Sequence, residues 1–150
     1  MEMKQTKEEM EEKVRRGIQG MSPDEPDHLY SKMKLEYYDC DPEENSLTLR
    51  FPVQKWELNH MGTLHGGLYA TAVDTTSGAL VRNLTGCIIT PTINLNINYL
   101  KPAVEGDALL VKATAERIGR HLANIHADCR SEKTGRLLAS ASINFMPVKE

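Results

Sequence analysis

Alternation of apolar and polar residues in the C-terminal half most restricts the fold of this chain. The apolar or small residues on one side of three successive segments are Leu109, Val111, Ala113 and Ala115, then Ala123, Ile125, Ala127 and Cys129, then Leu137, Ala139, Ala141, Ile143 and Phe145. Residues two positions apart point to the same side of a strand. The pattern therefore predicts an antiparallel sheet that buries one face against a core.

Six strands are predicted in all. The four in the C-terminal half lie at 88–100, 108–118, 121–130 and 136–147. Two shorter strand-like segments, 35–39 and 46–51, come earlier in the chain. The Asp-Pro-Glu-Glu-Asn run at 41–45 between them consists largely of turn-forming residues. This short connection predicts a hairpin.

One long segment rich in apolar and small residues, 66–83, separates the two early strands from the four later ones. Its length corresponds to about five turns of helix. Six strands that bury one face, together with one apolar helix, predict an α+β domain in which the antiparallel sheet curls around the helix.

A second helix is predicted at 6–20, before this domain. Met10, Val14 and Ile18 recur at every fourth position of an otherwise charged segment, which is typical of a helix lying on a surface. Pro23 favours an end to the helix shortly after it. Because the apolar stripe is narrow, a packed surface helix and a frayed arm fit the pattern equally well.

The length and charge of the chain exclude several classes of protein. Its 150 residues allow one domain, 31–150, after an N-terminal helical arm, 1–30. Eighteen Lys and Arg against 21 Asp and Glu give a net charge of -3, without the basic excess of a nucleic-acid-binding protein. No apolar run approaches the ~20 residues of a membrane span. We therefore expect neither nucleic acid nor a membrane as a partner.

The cysteines and the N-terminal composition favour a cytoplasmic protein. Cys40, Cys87 and Cys129 are odd in number and widely spaced, which indicates reduced thiols rather than a disulfide framework. Residues 1–16 are highly charged and lack the apolar stretch of a signal peptide. The histidines show no metal-ligand spacing, so we predict no metal site.

Two glycines, Gly66 and Gly67, open the long helix, where glycine lowers helix stability. The N–H groups at a helix N-terminus carry partial positive charge, and glycine lets an oxyanion approach them closely. Tight packing of the helix on the sheet would also require small residues, and the spacing favours neither interpretation. Asn59 and His65 flank this entrance. A lone histidine is more often a hydrogen-bonded structural residue than a catalyst.

A carboxylate, Asp74, lies within this otherwise buried segment. A buried carboxylate must be paired, hydrogen-bonded or functional, although Asp74 could instead cap a second, shorter helix. Gly66 lies eight residues earlier, about 12 Å along one helix. If both residues act on one carbonyl, they must come from different chains. A two-fold dimer with antiparallel facing helices would assemble two such sites.

Three stretches in order resemble one enzyme family. The N-x₃-T-L-H-G-G stretch at 59–67, followed by Asp74, is the most specific, and the stretches at 99–103 and 106–107 match as well. Over 35–148 the chain resembles the hotdog-fold thioesterases of the phenylacetic-acid-degradation type, in the 4-hydroxybenzoyl-CoA thioesterase-like superfamily. The resemblance implies a sheet wrapped around a long helix. It also implies hydrolysis of a small or medium acyl- or aryl-CoA to free acid and CoA.

The resemblance further implies a role for each site residue. The Gly66 N–H would bind the thioester carbonyl oxygen with Asn59 nearby, and Asp74 of the partner chain would act as nucleophile or as general base. Thr92 would hold the attacking water, and His65 would orient the acyl group or help product leave. No cofactor is implied, because CoA is part of the substrate. The residues expected to contact CoA are Gly67, Lys101, Arg117 and Arg120. For any one of the three cations among them, Lys101, Arg117 and Arg120, ordinary solvated surface charge is the more typical explanation.

The strand position of Thr92 conflicts with this role. Thr92 shares a strand face with Asn94, Asn96 and Asn98, and apolar residues occupy the other face. If the apolar face packs on the helix, Thr92 points away from the site unless a bulge intervenes. Alternatively, the apolar face is buried between two dimers, which would make a tetramer.

Two other functions share parts of this pattern. A hotdog-fold acyl dehydratase would carry an H-F-P-type loop, which 64–67 lacks. A non-catalytic acyl-CoA binding module could use the same glycine-rich helix start, but it has no need of a carboxylate at Asp74.

Medium-chain acyl and phenylacetyl-type groups are both compatible with the sequence as substrates. The predicted acyl-pocket residues are Leu58, Met61, Leu64, Tyr69 and Val73.

Overall fold

The fold is a six-stranded antiparallel sheet packed around a long helix, seen in a computed structural model that describes residues 4–21 and 24–149. The helices are α1 (Lys7–Met21), α2 (Leu29–Met33) and α3 (Gly66–Thr85). The strands are β1 (Glu36–Asp41), β2 (Ser46–Pro52), β3 (Thr92–Tyr99), β4 (Ala108–Ile118), β5 (Ala123–Ser131) and β6 (Leu137–Phe145). Their order in the sheet is β1-β2-β4-β5-β6-β3. The predicted α+β architecture with an additional N-terminal helix is confirmed.

The hydrophobic core lies between α3 and one face of the sheet. Ala72, Val73, Leu80 and Val81 of α3 are fully buried, and they belong to one cluster with the alternating apolar residues of the strands. One-sided burial of the strands follows the alternation that predicted the sheet. The opposite side of α3 carries Asp74 and is only partly covered by the described residues.

The N-terminal helix α1 is part of this core, so the frayed-arm interpretation is wrong. Met10 is 0% and Val14 is 4% exposed, and both belong to the main hydrophobic cluster. α1 contacts β1 and α3, and Lys7 Nζ lies 2.7 Å from Asp39 Oδ1 of β1. The four-residue spacing of the apolar stripe therefore reflects packing. Pro23, which favoured an end to the helix, lies outside the described residues.

The three cysteines, Cys40, Cys87 and Cys129, are free thiols in buried positions. Burial raises the pKa of Cys129 to about 12, which keeps this thiol protonated and unreactive at neutral pH. Within residues 4–21 and 24–149, no helix is both long and apolar enough to cross a membrane.

The edge strand β3 pairs with β6 and has no second neighbour among the described strands. The register shifts between Thr92 and Asn94, which marks a bulge. Beyond the bulge, Leu95 and Ile97 pack against the main cluster, whereas Asn96 is exposed on the other face. The apolar side of β3 therefore packs within its own chain, and burial between two dimers is not needed to explain it.

The carboxylate of Asp107 ties the start of β4 to the turn between β5 and β6. It accepts hydrogen bonds from the Ser131 hydroxyl and from the backbone N–H groups of Ala108 and Lys133, the latter two at 2.7 and 3.2 Å. Burial opposes ionisation of Asp107, but these hydrogen bonds outweigh it and lower the pKa of the carboxyl. Asp107 therefore has a structural role.

Replacement of Asp107 by Asn will destabilise the protein at neutral pH by about 1–3 kcal/mol, because an amide cannot satisfy all of these buried donors. The folded pKa lies below the unfolded value of 3.8. The stabilisation is therefore complete above the unfolded value and is lost as the pH falls through the folded pKa. Urea unfolding at pH 7 and at a pH below the folded pKa measures this difference, with the exposed Asp24→Asn variant as control. An equal loss at both pH values would contradict the assignment.

Candidate active site

The start of α3 leaves one backbone donor free. His65 occupies the N-cap position, and its Nδ1 accepts a hydrogen bond of 2.9 Å from the Gly67 N–H. The Leu68 N–H donates to the His65 carbonyl oxygen at 2.9 Å. The Gly66 N–H has no hydrogen-bond partner in the described part of the chain. Of the two glycine donors, only that of Gly66 is therefore available to an oxyanion.

Tyr99, at the end of β3, fills the space beside Gly66. Its hydroxyl donates a 2.8 Å hydrogen bond to the Gly66 carbonyl oxygen. A Cβ atom at position 66 would lie 3.2 Å from that hydroxyl oxygen and 3.3 Å from Cζ of the ring. The Tyr69 ring meets Tyr99 edge-on at 5.5 Å between centroids, and its hydroxyl donates to the Lys101 carbonyl oxygen at 3.2 Å. Glycine at position 66 thus allows Tyr99 to pack closely and also leaves a backbone N–H free. The packing interpretation and the oxyanion interpretation of this glycine are therefore compatible.

Asn59 shapes the loop before α3. Its Oδ1 accepts hydrogen bonds from the N–H groups of Met61 and Thr63 at 3.0 and 3.2 Å, and its Nδ2 donates to the Thr63 hydroxyl at 3.1 Å. The Asn59 N–H also donates to the Thr63 carbonyl oxygen at 2.8 Å. Every hydrogen-bonding group of the Asn59 side chain therefore holds the loop, and its predicted position near a carbonyl group stays a prediction.

A cleft of about 370 Å³ lies between this loop, the start of α3 and the end of β3. It is lined by Asn59, Met61, Thr63, Leu64, Gly66, Tyr69, Tyr99, Leu100, Lys101 and Pro102. Three predicted acyl-pocket residues, Met61, Leu64 and Tyr69, are in this lining. Val73 is 0% exposed within the core and does not line the cleft. Leu58 is half-buried beside it, in a bridge with Leu64.

Asp74 and Thr92 form the second part of the site. The Thr92 hydroxyl donates a 2.6 Å hydrogen bond to Asp74 Oδ1. The bulge after Thr92 makes this possible, because it puts Thr92 opposite the buried Phe145 while Asn94 faces outward with Asn144. α3 continues through position 74 without interruption, so the interpretation of Asp74 as the cap of a shorter helix is wrong.

The two parts of the site lie apart within one chain. Gly66 and Asp74 belong to the same continuous helix, eight positions apart. At 1.5 Å per residue this separation is about 12 Å. A single thioester carbonyl cannot meet the Gly66 N–H and the Asp74 carboxylate of one protomer.

The predicted CoA-binding cations are also separated. Lys101 follows β3 and lines the cleft beside Gly66. Arg117 lies near the end of β4, and Arg120 lies in the turn after it. Sheet pairing puts these arginines at the end of the sheet where β3 begins. Lys101 lies at the opposite end of β3, which spans about 23 Å at 3.3 Å per residue. The three cations therefore do not meet in one chain. All three are exposed, and none forms an ion pair within the described ranges.

Reasoning from the sequence missed Tyr99 as a site residue. The sequence predicts no role in the site for Tyr99, although it lies on the apolar face of the predicted strand with Leu95 and Ile97. This alternation was the available signal. Its contact with Gly66 depends on how β3 lies along α3, which no local pattern specifies.

Comparison with known proteins supports one family. A model of the thioesterase superfamily matches residues 61–138, more than half of the chain. Acyl-coenzyme A thioesterase 13 of Mus musculus is 31% identical over 106 residues, which are 71% of this chain and 74% of that protein. Thioesterase superfamily member 2 of Mus musculus has a similar structure, with a TM-score of 0.78 and 25% identity over 93% of this chain and 98% of that one.

The PaaI protein from the phenylacetic acid degradation operon of E. coli shares the fold at lower identity. Its structure has a TM-score of 0.78 and 15% identity, covering 93% of this chain and 96% of that one. The matched family model begins at Met61 and includes Gly66, Asp74, Thr92 and Tyr99. By sequence, by fold and by the family model, this chain belongs to the thioesterase superfamily and is a hotdog-fold thioester hydrolase.

Proposed function

We propose that the protein hydrolyses acyl-CoA thioesters at two equivalent sites, each shared by the two protomers of a homodimer. One observation carries the proposal: α3 presents a free Gly66 N–H and the Thr92-bound carboxylate of Asp74 at positions too far apart for one carbonyl. A second protomer in antiparallel orientation supplies the missing half of each site.

The surface around β3 supports this dimer. The strand has a free edge, and apolar side chains are exposed at both of its ends: Ile88, Ile89, Ile93, Tyr99 and Leu100. Exposed apolar patches of this kind are typical of interaction surfaces. Antiparallel pairing of two β3 edges would bring the Thr92 end of one protomer beside the Tyr99 end of its partner. Gly66 of one protomer would then lie beside Asp74 of the other.

The reaction uses few groups. The Gly66 N–H donates to the thioester carbonyl oxygen and stabilises the oxyanion that forms there. Asp74 takes a proton from water as the water oxygen attacks the carbonyl carbon, or attacks that carbon itself and is released by water in a second step. The C–S bond then breaks, and the CoA sulfur leaves as the thiol: Asp74 returns to it the proton taken from water, or, when Asp74 is the nucleophile, solvent water supplies the proton. Thr92 orients Asp74 through its 2.6 Å hydrogen bond and can accept one from the attacking water.

The same dimer would group the candidate CoA contacts. Gly67 and Lys101 of one protomer would lie near Arg117 and Arg120 of the other, and guanidinium groups suit phosphate recognition. We infer that no further cofactor takes part. His65, whose Nδ1 is held by Gly67, would present its other ring nitrogen to the acyl group or the product.

Three further assignments belong to the proposal. Free buried thiols agree with a cytoplasmic location. The proposed boundary at residue 30 separates an N-terminal arm from the main domain, although that arm contributes Met10 and Val14 to the core. A dimer of dimers would use the outer face of the sheet, where Asn144 donates a 2.7 Å hydrogen bond to Asn94.

The direct test is release of free thiol from a panel of acyl-CoAs of increasing chain length, together with phenylacetyl-CoA. We expect hydrolysis that is saturable in substrate and a dimer or larger assembly by light scattering. Binding of acyl-CoA without thiol release would instead indicate a binding module. An active monomer would contradict the shared site.

Replacement of Thr92 by Val will lower kcat by about 10- to 100-fold, because the carboxylate loses its orienting donor while the side-chain shape is kept. Thr92→Ser retains the hydroxyl and should retain most of the activity. The measurement is thiol release at saturating substrate, and Thr90→Val provides a control on the segment before β3. Equal activity of the Val and Ser variants would remove the hydroxyl from the mechanism.

A further inference from the structure

A cation lies on the same side of α3 as the catalytic carboxylate. Asp74, Gly78 and Arg82 follow one another at four-residue intervals, so they form one row along the helix. Helical side chains lean toward the N-terminus, and Arg82 does so: its Nη1 would lie 3.5 Å from a Cβ atom at position 78. That distance is an ordinary van der Waals contact, so the guanidinium lies back along the helix over position 78, one turn from Asp74.

This guanidinium has no acidic partner in the described part of the chain. Arg15, Arg16 and Arg50 each form an ion pair with a carboxylate within 3 Å, whereas Arg82 forms none. Its side-chain contact is the sulfur of Met21. Arg82 is half-buried, and burial lowers the pKa of its guanidinium, an effect that the negative charge of Asp74 opposes. A half-buried charge without a partner is costly in free energy. An anion that binds to Arg82 therefore gains more binding free energy than it would at an exposed arginine.

The space around Arg82 is open to a ligand. A cavity of about 330 Å³ lies between α1 and the second half of α3, with apolar walls that include Val14, Ile18, Met21 and Ala79. Arg82 is among the residues that line this cavity. An acyl group whose thioester lies at Asp74 would reach the guanidinium after about one helical turn, or about 5.4 Å.

We propose that Arg82 is a specificity-determining residue that binds a carboxylate at the far end of the acyl group, so that the preferred substrates are CoA monothioesters of short dicarboxylic acids. This inference rests on the proposed function, because it takes Asp74 as the group that acts on the thioester. A bidentate pair between guanidinium and carboxylate combines charge with fixed geometry. A neutral acyl chain of the same length leaves the half-buried cation unpaired.

The test compares adipyl-CoA with hexanoyl-CoA and glutaryl-CoA with pentanoyl-CoA, pairs that match in chain length and differ in the terminal carboxylate. For the wild type we expect kcat/KM to be about 10- to 100-fold higher for the dicarboxylic member of each pair. Arg82→Met should abolish this ratio mainly through KM, and Arg82→Lys should restore part of it. Arg16→Met, on the exposed side of α1, is the matched control and should leave the ratio unchanged.

Each outcome bears on the proposal. Hydrolysis of hexanoyl-CoA without any preference for adipyl-CoA would overturn the role of Arg82 and leave the proposed function intact. A preference that survives Arg82→Met in a folded protein would likewise overturn it. If wild type hydrolyses none of the four thioesters but releases thiol from longer acyl-CoAs or phenylacetyl-CoA, this inference fails and the proposed function stands; if it hydrolyses no acyl-CoA at all, both fail. Should Arg82→Met not fold, the wild-type ratio and the Lys variant decide the matter.

Discussion

Asp74→Asn will lower kcat by about a thousandfold while the protein stays folded and dimeric. The amide has nearly the same shape as the carboxylate and can still accept the Thr92 hydrogen bond through its oxygen. It has neither the basicity to take a proton from water nor the charge to attack a carbonyl carbon. The variant therefore keeps the packing of the side chain at position 74 and removes its basicity and charge.

The loss should appear in single-turnover thiol release as well as at steady state, with the melting temperature close to that of wild type. Asp128→Asn is a suitable control, because Asp128 lies on the outer face of the sheet and pairs with His126 at 2.9 Å. Near-normal turnover by a folded Asp74→Asn protein would remove Asp74 from the mechanism. Retained acyl-CoA binding with no turnover is the result that a catalytic role requires.

Mixing two inactive variants should restore activity if the site is shared. Gly66→Ala adds a Cβ atom at 3.2 Å from the Tyr99 hydroxyl oxygen, so the ring or the start of α3 must shift. Displacement of an oxyanion donor typically costs about 10²- to 10³-fold in kcat. After subunit exchange with Asp74→Asn, half of the dimers contain one of each chain, and each of these has one intact site. We expect about one quarter of wild-type activity from two inactive parents.

The controls for this experiment isolate the role of Gly66. Tyr99→Phe removes only the hydroxyl that donates to the Gly66 carbonyl, so it tests whether that hydrogen bond matters apart from the free N–H. Subunit exchange is verified with differently tagged chains. No recovery in verified heterodimers would contradict a site built from two protomers. A Gly66→Ala protein that is less stable but fully active would show that position 66 serves packing alone.

The fold was largely readable from local patterns. The alternation in β4, β5 and β6 specified one buried face, because side chains two residues apart share a side of the strand regardless of their partners. The apolar and small composition of 66–83 specified the central helix, which the structure extends to Gly66–Thr85. The four-residue stripe of Met10, Val14 and Ile18 predicted α1. The sequence could not show whether α1 packs into the core, because a narrow apolar stripe is compatible with both a packed helix and a loose one.

The candidate site was readable only in part. If Gly66 and Asp74 act on one carbonyl, their spacing on one continuous helix requires two chains, since helical rise fixes their separation at about 12 Å. Alternation alone turned Thr92 away from Asp74, and only the bulge in the pairing of β3 with β6 brings the two to 2.6 Å. A bulge depends on how two strands meet, so neither strand shows it by itself.

The chain by itself determined which residue types are present and how far apart they lie along each element, because local geometry follows from the sequence of one segment. The tertiary structure alone decided where Tyr99 packs beside Gly66, that the Thr92 hydroxyl reaches Asp74, and that Arg82 lies against Met21 with no acidic partner in the described part of the chain. Each of these depends on contacts between segments distant in sequence, and such contacts form only when the elements pack together.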